Sequence, residues 1–153
     1  MLLELGKAHT VRAFNFTRQY PGILFPGKTQ YVTADDDAVS IESTALLDTV
    51  NPFSYVRTLK EIRKWQPDLV VMSYWMSWFA PSLGFIARHL RKSCKVVSVL
   101  HNLIPHEPKF FDAPLTRYFL SGCDGNICLC DEVADDLRRL SPGADSLTLF
   151  HPI

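Results

Sequence analysis

The feature that most constrains the fold of this chain is the alternation of strand-like apolar runs with blocks whose apolar residues follow a helical spacing. Strands that alternate with helices are typical of parallel sheets, and strands that are apolar throughout are covered on both faces. The sequence therefore predicts an α/β fold, a Rossmann-like parallel sheet with helices on both faces. The predicted strands are His9–Phe16, Asp68–Tyr74, Lys95–Leu100, Gly125–Cys130 and Ser146–Phe150.

The clearest helix follows Asn51, a helix-capping residue, and Pro52, which suits a first turn. It is expected to end before Pro67. Apolar residues recur at every third position, and we expect this stripe to pack on the sheet: Phe53, Val56, Leu59, Ile62 and Trp65. Three more helices are predicted, at Pro81–Arg91, at Pro114–Leu120 and from Asp131 to Leu140.

The uncharged stretch Leu69–Ala87 approaches the length of about 20 residues that a transmembrane helix needs. Its composition indicates otherwise, because four residues suited to a buried strand are followed by serines and by Pro81, which suits the first turn of a new helix. The stretch is therefore predicted to form a strand, a loop and a helix.

Charge and cysteine usage exclude two classes of partner. The chain has 16 basic and 16 acidic side chains, so no net field favours a nucleic acid. Cys123, Cys128 and Cys130 do not have the two-residue spacing of a zinc knuckle, so no metal site is predicted. Together with Cys94 they lie in apolar surroundings, which indicates reduced, core-packed thiols in the cytoplasm.

Ligands bind open parallel sheets beyond the carboxyl ends of the strands, and the predicted strands deliver polar and aromatic residues to that edge. The loop after the third strand is the richest, since imidazole can exchange hydrogen bonds or protons with a sugar hydroxyl or a phosphate near neutral pH. We expect a functional role for His101 before the other candidates. These are Tyr74, Asn102, His106, Glu107 and His151.

The segment from Gly22 to Thr29 matches the phosphate-binding loop pattern of glycine, four residues, glycine, lysine and threonine. Such a loop joins a strand to a helix, but residues 31–40 begin a helix poorly, and no predicted strand ends in a magnesium-binding aspartate. A P-loop nucleotidase remains an alternative. Two alternatives remain for Arg18, Tyr20 and Lys28, a positive, aromatic lip for an anionic or sugar ligand and the more common solvated loop.

The chain resembles the amino-terminal domain of family-four retaining glycosyltransferases, whose B-type fold consists of two facing Rossmann-like domains. The resemblance is carried by residues 16–21 and 24–31, by the loop from His101 to Glu107 and by the final His151-Pro152-Ile153. It implies that residues 1–153 form a single acceptor-side domain that lacks its first strand and the donor-binding carboxyl-terminal domain. The opening Leu2, Leu3 and Leu5 fit the last turn of a helix.

By this resemblance, His101 faces the cleft as the catalytic residue, and the nucleotide-sugar donor is a substrate rather than a cofactor. Basic groups and amides stabilise the departing diphosphate in that family, so no metal is implied. The isolated chain is then expected to be inactive, and a non-catalytic α/β binding domain is the other alternative. The acceptor is expected to be a sugar or a lipid-linked sugar.

We expect a cytoplasmic protein, with peripheral contact at the inner face of the membrane as an open alternative. Trp75, Trp78 and Phe79 are predicted either to contact a membrane-bound acceptor or to be buried.

Overall fold

The structure is a computed structural model that describes residues 2–20, 43–105 and 107–149. It is an α/β fold of the Rossmann-like type, in which every strand pairing is parallel. The helices are α1 (Leu2–Leu5), α2 (Pro52–Trp65), α3 (Ala80–Leu90), α4 (Asp112–Leu120) and α5 (Asp131–Leu140), with a 3-10 turn at Ser77–Phe79.

The strands form two sheets. A two-stranded sheet contains β1 (Ala13–Arg18) and β2 (Ser43–Asp48). A four-stranded sheet has the order β3-β4-β5-β6, formed by β3 (Leu69–Tyr74), β4 (Lys95–Leu100), β5 (Gly125–Cys128) and β6 (Ser146–Thr148). Because all strands within each sheet are parallel, their carboxyl ends share one edge.

The strand β2 was missing from the sequence prediction. Its sequence contains Ala45, Leu46 and Leu47, which are strong helix formers, so local preference does not indicate a strand. Pairing with β1 decides its conformation. That pairing also moves the first strand from the predicted His9–Phe16 to Ala13–Arg18. The predicted end of the last strand, Phe150, lies outside the described residues.

Helix α2 begins and ends as predicted, and the Asn51 side chain accepts a hydrogen bond from the Phe53 amide at 3.0 Å. The predicted apolar stripe is wrong in part, because Phe53 is 86% exposed and Val56 is 42% exposed. Residues three apart differ by about 300° around a helix, so such a stripe drifts about 60° at each step and cannot stay on one face. The buried face contains Ser54, Tyr55, Thr58, Leu59 and Ile62.

Helix α3 carries the predicted inward face, and Leu83, Ile86, Ala87 and Leu90 are all buried. The stretch Leu69–Ala87 forms a strand, a 3-10 turn and the start of α3, as predicted. In the part of the chain that the structure describes, no helix has the length and apolarity to cross a membrane.

The cysteines belong to the core or border it, and all four are free thiols. Burial raises the pKa of Cys123 to about 12 and also raises the pKa of Cys94 and of Cys128. These thiols therefore stay protonated near neutral pH, which fits the predicted packing role.

Candidate functional site

The carboxyl edge of the sheets carries an aromatic cluster that joins the two sheets. The Trp75 indole N–H, directly after β3, donates a hydrogen bond of 3.0 Å to the Tyr20 hydroxyl, two residues after β1. The His101 ring, directly after β4, lies edge-on to Trp75 with 6.4 Å between ring centroids. We call Tyr20, Trp75 and His101 the aromatic rim. Aromatic walls with a few polar groups are the usual lining of a small-molecule site.

Phe79 packs against the Tyr20 and Trp75 rings of the aromatic rim from inside the protein. It is fully buried, and its ring centroid lies 4.5 Å from that of Trp75, 5.6 Å from that of Tyr20 and 5.5 Å from that of Phe16. Trp78 is half-buried and donates from its indole N–H to the Thr49 hydroxyl at 3.1 Å. Phe79 is therefore buried, whereas Trp75 and Trp78 are half-buried, and contact with a membrane-bound acceptor stays a prediction.

The prediction that Tyr74 contributes to a site at the sheet edge is wrong. Its side chain is completely buried, stacks on Phe119 with ring centroids 4.4 Å apart, and hydrogen-bonds Thr116 at 2.9 Å. This burial raises the pKa of the Tyr74 hydroxyl well above its ordinary value. Successive side chains of a strand point to opposite faces, so Tyr74 enters the core and the neighbouring Trp75 takes the position at the rim.

His101 is exposed at the rim, and its backbone amide donates to the Tyr74 carbonyl at 2.9 Å. Its loop turns back into the protein at once, since Asn102 is half-buried and Leu103 is buried in the core. Glu107 is exposed farther along the same loop. The other predicted residue of this loop, His106, lies outside the described residues.

The end of this loop is attached by Asp112, the first residue of α4. Asp112 is buried, and its carboxylate accepts hydrogen bonds from the Ser77 hydroxyl and, at 2.7 Å, from the Lys109 amide. The 3-10 turn below the rim and the end of the His101 loop are thereby joined. No local pattern could reveal this contact, because Ser77 and Asp112 are far apart along the chain.

Arg18 ends β1 and is held in a two-pronged ion pair with Asp48, at 3.0 Å from Nε to Oδ1 and 2.7 Å from Nη2 to Oδ2. The hydrogen bond from Arg18 lowers the pKa of Asp48, against the opposing effect of burial. Strand β2, which the sequence prediction missed, ends at Asp48. That carboxylate binds Arg18, which sequence analysis missed because β2 was missed.

Several predicted site residues cannot be located. Lys28 and the segment from Gly22 to Thr29 lie outside the described residues, as does His151. Within residues 2–20, 43–105 and 107–149, no group of three or more His, Cys, Asp or Glu side chains is arranged to hold a metal ion. Of the predicted candidates, the structure brings Tyr20 and His101 next to Trp75.

The amino-acid sequence matches a protein-family model over residues 4–151, and the description of that family is Glycosyltransferase Family 4. No curated protein matches the chain. The match covers the aromatic rim and all of the strands and helices from β1 to β6.

Proposed function

The chain belongs to Glycosyltransferase Family 4, and from this premise we propose that it forms the acceptor-side half of the cleft of a retaining glycosyltransferase. The enzyme would transfer a sugar from a nucleotide-sugar donor to a sugar or lipid-linked acceptor. A second domain, absent from residues 1–153, would hold most of the donor. The chain alone is then an acceptor-binding unit that does not turn over substrate.

The observation that carries this proposal is the aromatic rim at the carboxyl edge of a family-four fold. Ligands of open α/β sheets bind beyond this edge, at the position where the strand order reverses. Tyr20 and Trp75 offer flat apolar surfaces beside a hydroxyl, and His101 offers an imidazole that can donate to or accept from a sugar hydroxyl. This combination of groups suits a carbohydrate acceptor.

In the proposed reaction, the His101 imidazole hydrogen-bonds the substrate in the cleft, with the rings of Tyr20 and Trp75 setting its orientation. Stabilisation of the departing diphosphate would come from basic groups and backbone amides, mostly of the second domain, so we propose no resident cofactor. We propose a cytoplasmic location with peripheral contact at the inner membrane face where the acceptor is lipid-linked.

Ligand-observed NMR on the chain tests acceptor binding. The probes are octyl glucoside, octyl galactoside and octyl mannoside below their micelle concentrations, with UDP-glucose as the donor-type comparison. We expect at least one alkyl glycoside to bind, and His101→Ala to weaken that binding about tenfold through the loss of a hydrogen bond to the sugar. UDP-glucose should bind residues 1–153 more weakly than the alkyl glycoside, because in the proposed enzyme most of its contacts come from the second domain.

His89→Ala is the matched control, since it removes an imidazole that is exposed at the carboxyl end of α3. Crossover helices run opposite to the strands they connect, so His89 lies at the far edge of the sheet from His101. Equal loss of binding in both variants, or no alkyl glycoside binding at all, would contradict the proposed role of the rim.

Two further measurements separate the alternatives. Magnesium-dependent ATP binding that disappears in Lys28→Ala would support the P-loop nucleotidase and replace our proposal.

The second measurement tests the non-catalytic alternative. The donor-binding domain of a family-four enzyme is fused after Ile153, and release of UDP from UDP-glucose is measured in the presence of the alkyl glycoside that binds. Turnover that is lost in His101→Ala supports the transferase, and binding without turnover supports the non-catalytic domain.

A further inference from the structure

Two side chains of the aromatic rim belong to different sheets, and among the described residues no strand pairing joins those sheets. Tyr20 lies two residues beyond β1, and Trp75 follows β3 directly. Their hydrogen bond of 3.0 Å therefore depends on how the two strand ends are held relative to each other. Thr49, a buried residue directly after β2, contacts both of these ends.

Thr49 holds the segment that leads to Tyr20. The register of β1 and β2 ends at the pair of Arg18 and Asp48. One residue farther, the Thr49 amide donates to the Arg18 carbonyl at 3.1 Å, and the Thr49 hydroxyl donates to the Gln19 carbonyl at 2.9 Å. The main chain and the side chain of a single residue thus bind the two carbonyls that immediately precede Tyr20.

The same hydroxyl binds the 3-10 turn that follows Trp75. Trp78 lies in this turn, and its indole N–H donates to the Thr49 hydroxyl at 3.1 Å. Phe79, the last residue of the turn, packs against the rings of both Tyr20 and Trp75. A displacement of the turn would therefore move the surface on which both rings rest.

Hydrogen-bond chemistry sets the direction of this bridge. An indole N–H can only donate and a carbonyl can only accept, whereas a hydroxyl does both. The single hydroxyl proton of Thr49 is therefore directed to Gln19, and the oxygen receives the Trp78 N–H. The Tyr55 hydroxyl of α2 donates to the Thr49 carbonyl at 2.5 Å and holds the bridging residue itself. Serine could replace Thr49 in this arrangement, but valine, which has the same shape, could not.

We infer that Thr49 is a positioning residue of the aromatic rim. It acts through Gln19 and Trp78, and it holds Tyr20 and Trp75 at the separation at which their hydrogen bond forms. The bridge thereby sets the spacing of the two aromatic surfaces that a ligand meets. Its importance for acceptor binding rests on the proposed function, whereas its effect on the geometry of the aromatic rim depends on the fold alone.

The indole N–H signals in an NMR spectrum test the inference, since the chain has 3 tryptophans. Thr49→Val keeps the shape of the side chain and removes its hydroxyl. We expect the Trp78 signal to shift and the Trp75 N–H to exchange with solvent about tenfold faster, because its bond to Tyr20 opens more often. Trp65 ends α2, about 20 Å from the start of that helix, and its signal should not change.

Three further variants accompany this measurement. Thr49→Ser keeps the hydroxyl and should keep the slow exchange at Trp75. Thr58→Val makes the same replacement at a buried hydroxyl of α2 that has no hydrogen-bond partner among the described residues, so exchange at Trp75 should not change. If Thr49→Val fails to fold, Trp78→Phe breaks the bridge from its other end and should also accelerate exchange at Trp75.

The affinity for the alkyl glycoside that binds the chain is a second readout. It should fall about threefold to tenfold in Thr49→Val and recover in Thr49→Ser, because a loosely held site binds its ligand less well. If no alkyl glycoside binds the unaltered chain, the proposed function fails, and the indole signals still decide whether Thr49 positions the aromatic rim.

The inference is overturned if the Trp78 signal shifts in a folded Thr49→Val chain while exchange at Trp75 stays the same. It is also overturned if Trp65 shows the same acceleration, or if Thr58→Val accelerates exchange at Trp75 equally. Thr49 would then stabilise the fold in general without positioning the aromatic rim.

Discussion

The four-stranded sheet and the two-stranded sheet are stabilised by different kinds of contact. β3 and β4 pair over six residues with no register shift, and β4 has three buried residues in succession at its carboxyl end. β1 and β2 pair with two register shifts, and no residue of β1 is fully buried. Deeper burial thus accompanies the regular ladder, whereas the less buried pair is irregular.

Polar contacts at one end hold the two-stranded sheet in place. Arg18 pairs with Asp48 across the strands, and the Thr49 hydroxyl donates to the Gln19 carbonyl at 2.9 Å. The Tyr55 hydroxyl of α2 donates to the Thr49 carbonyl at 2.5 Å. The comparison teaches that the four-stranded sheet depends mainly on its core, while the smaller sheet, which buries Leu46 and Leu47, depends also on polar contacts beside the rim.

The largest loss of stability that we expect comes from a buried ring beside the four-stranded sheet, and it can be compared with the loss of a ring in the two-stranded sheet. Phe119→Ala removes a fully buried ring that stacks on Tyr74 and should lower the free energy of unfolding by about 3–5 kcal/mol. Phe14→Ala removes a half-buried ring of β1, which should cost distinctly less. Urea denaturation followed by circular dichroism measures both. Equal losses would show that the two sheets share one equally tight core.

A second prediction concerns the close packing of α3 against the turn after α4, beside the four-stranded sheet. A methyl group at Gly122 would lie 2.8 Å from the Ala87 Cβ and 2.9 Å from the Arg88 amide nitrogen. Gly122→Ala should therefore cost about 1–3 kcal/mol, because backbone atoms must move. Gly143→Ala is the control, since a methyl group added there would meet no atom within 4 Å, and it should change the thermal midpoint little. A harmless Gly122→Ala would mean that α3 and the turn after α4 are loosely packed.

The third prediction concerns the contacts of Asp112 that attach the His101 loop beside the four-stranded sheet. Asp112→Ala leaves the buried Ser77 hydroxyl and the Lys109 amide without their acceptor, which should cost about 1–3 kcal/mol. Amide exchange in residues 103–110 should also accelerate. Asp145→Ala, which removes an exposed carboxylate, is the control and should leave both measurements unchanged.

The smallest expected effect lies in the smaller sheet. The Arg18 guanidinium lowers the pKa of Asp48 below its ordinary 3.8, so the pair stabilises the fold above that pH and loses its contribution as the pH falls through the lower, folded-state value. Arg18→Gln should return the pKa of Asp48 toward 3.8, as measured by carboxyl carbon NMR. The difference in thermal midpoint between the two proteins should disappear in acid and shrink in high salt. A midpoint difference that survives in acid would show that Arg18 acts through packing rather than charge.

The sequence allowed β4 and helix α5 to be predicted with their observed bounds, and α3 to within one residue. Each has a distinct local pattern, either an apolar run or an apolar helical face. β2 was missed because its alanine and leucines favour a helix, and Asp48 was missed with it. His101 could be placed at the sheet edge, but the choice between Tyr74 and Trp75 depended on which face of β3 each side chain occupies.

Sequence by itself determined the α/β class and the family, and it predicted a candidate site at the carboxyl edge of the sheet, because hydrophobic periodicity and short motifs are local properties of the chain. Only the tertiary structure decided that Phe53 is exposed, that Asp112 holds the His101 loop and that Trp75 links the two sheets. These features depend on contacts between residues distant along the chain. Their energies arise only when folding brings both partners together, so no local pattern records them.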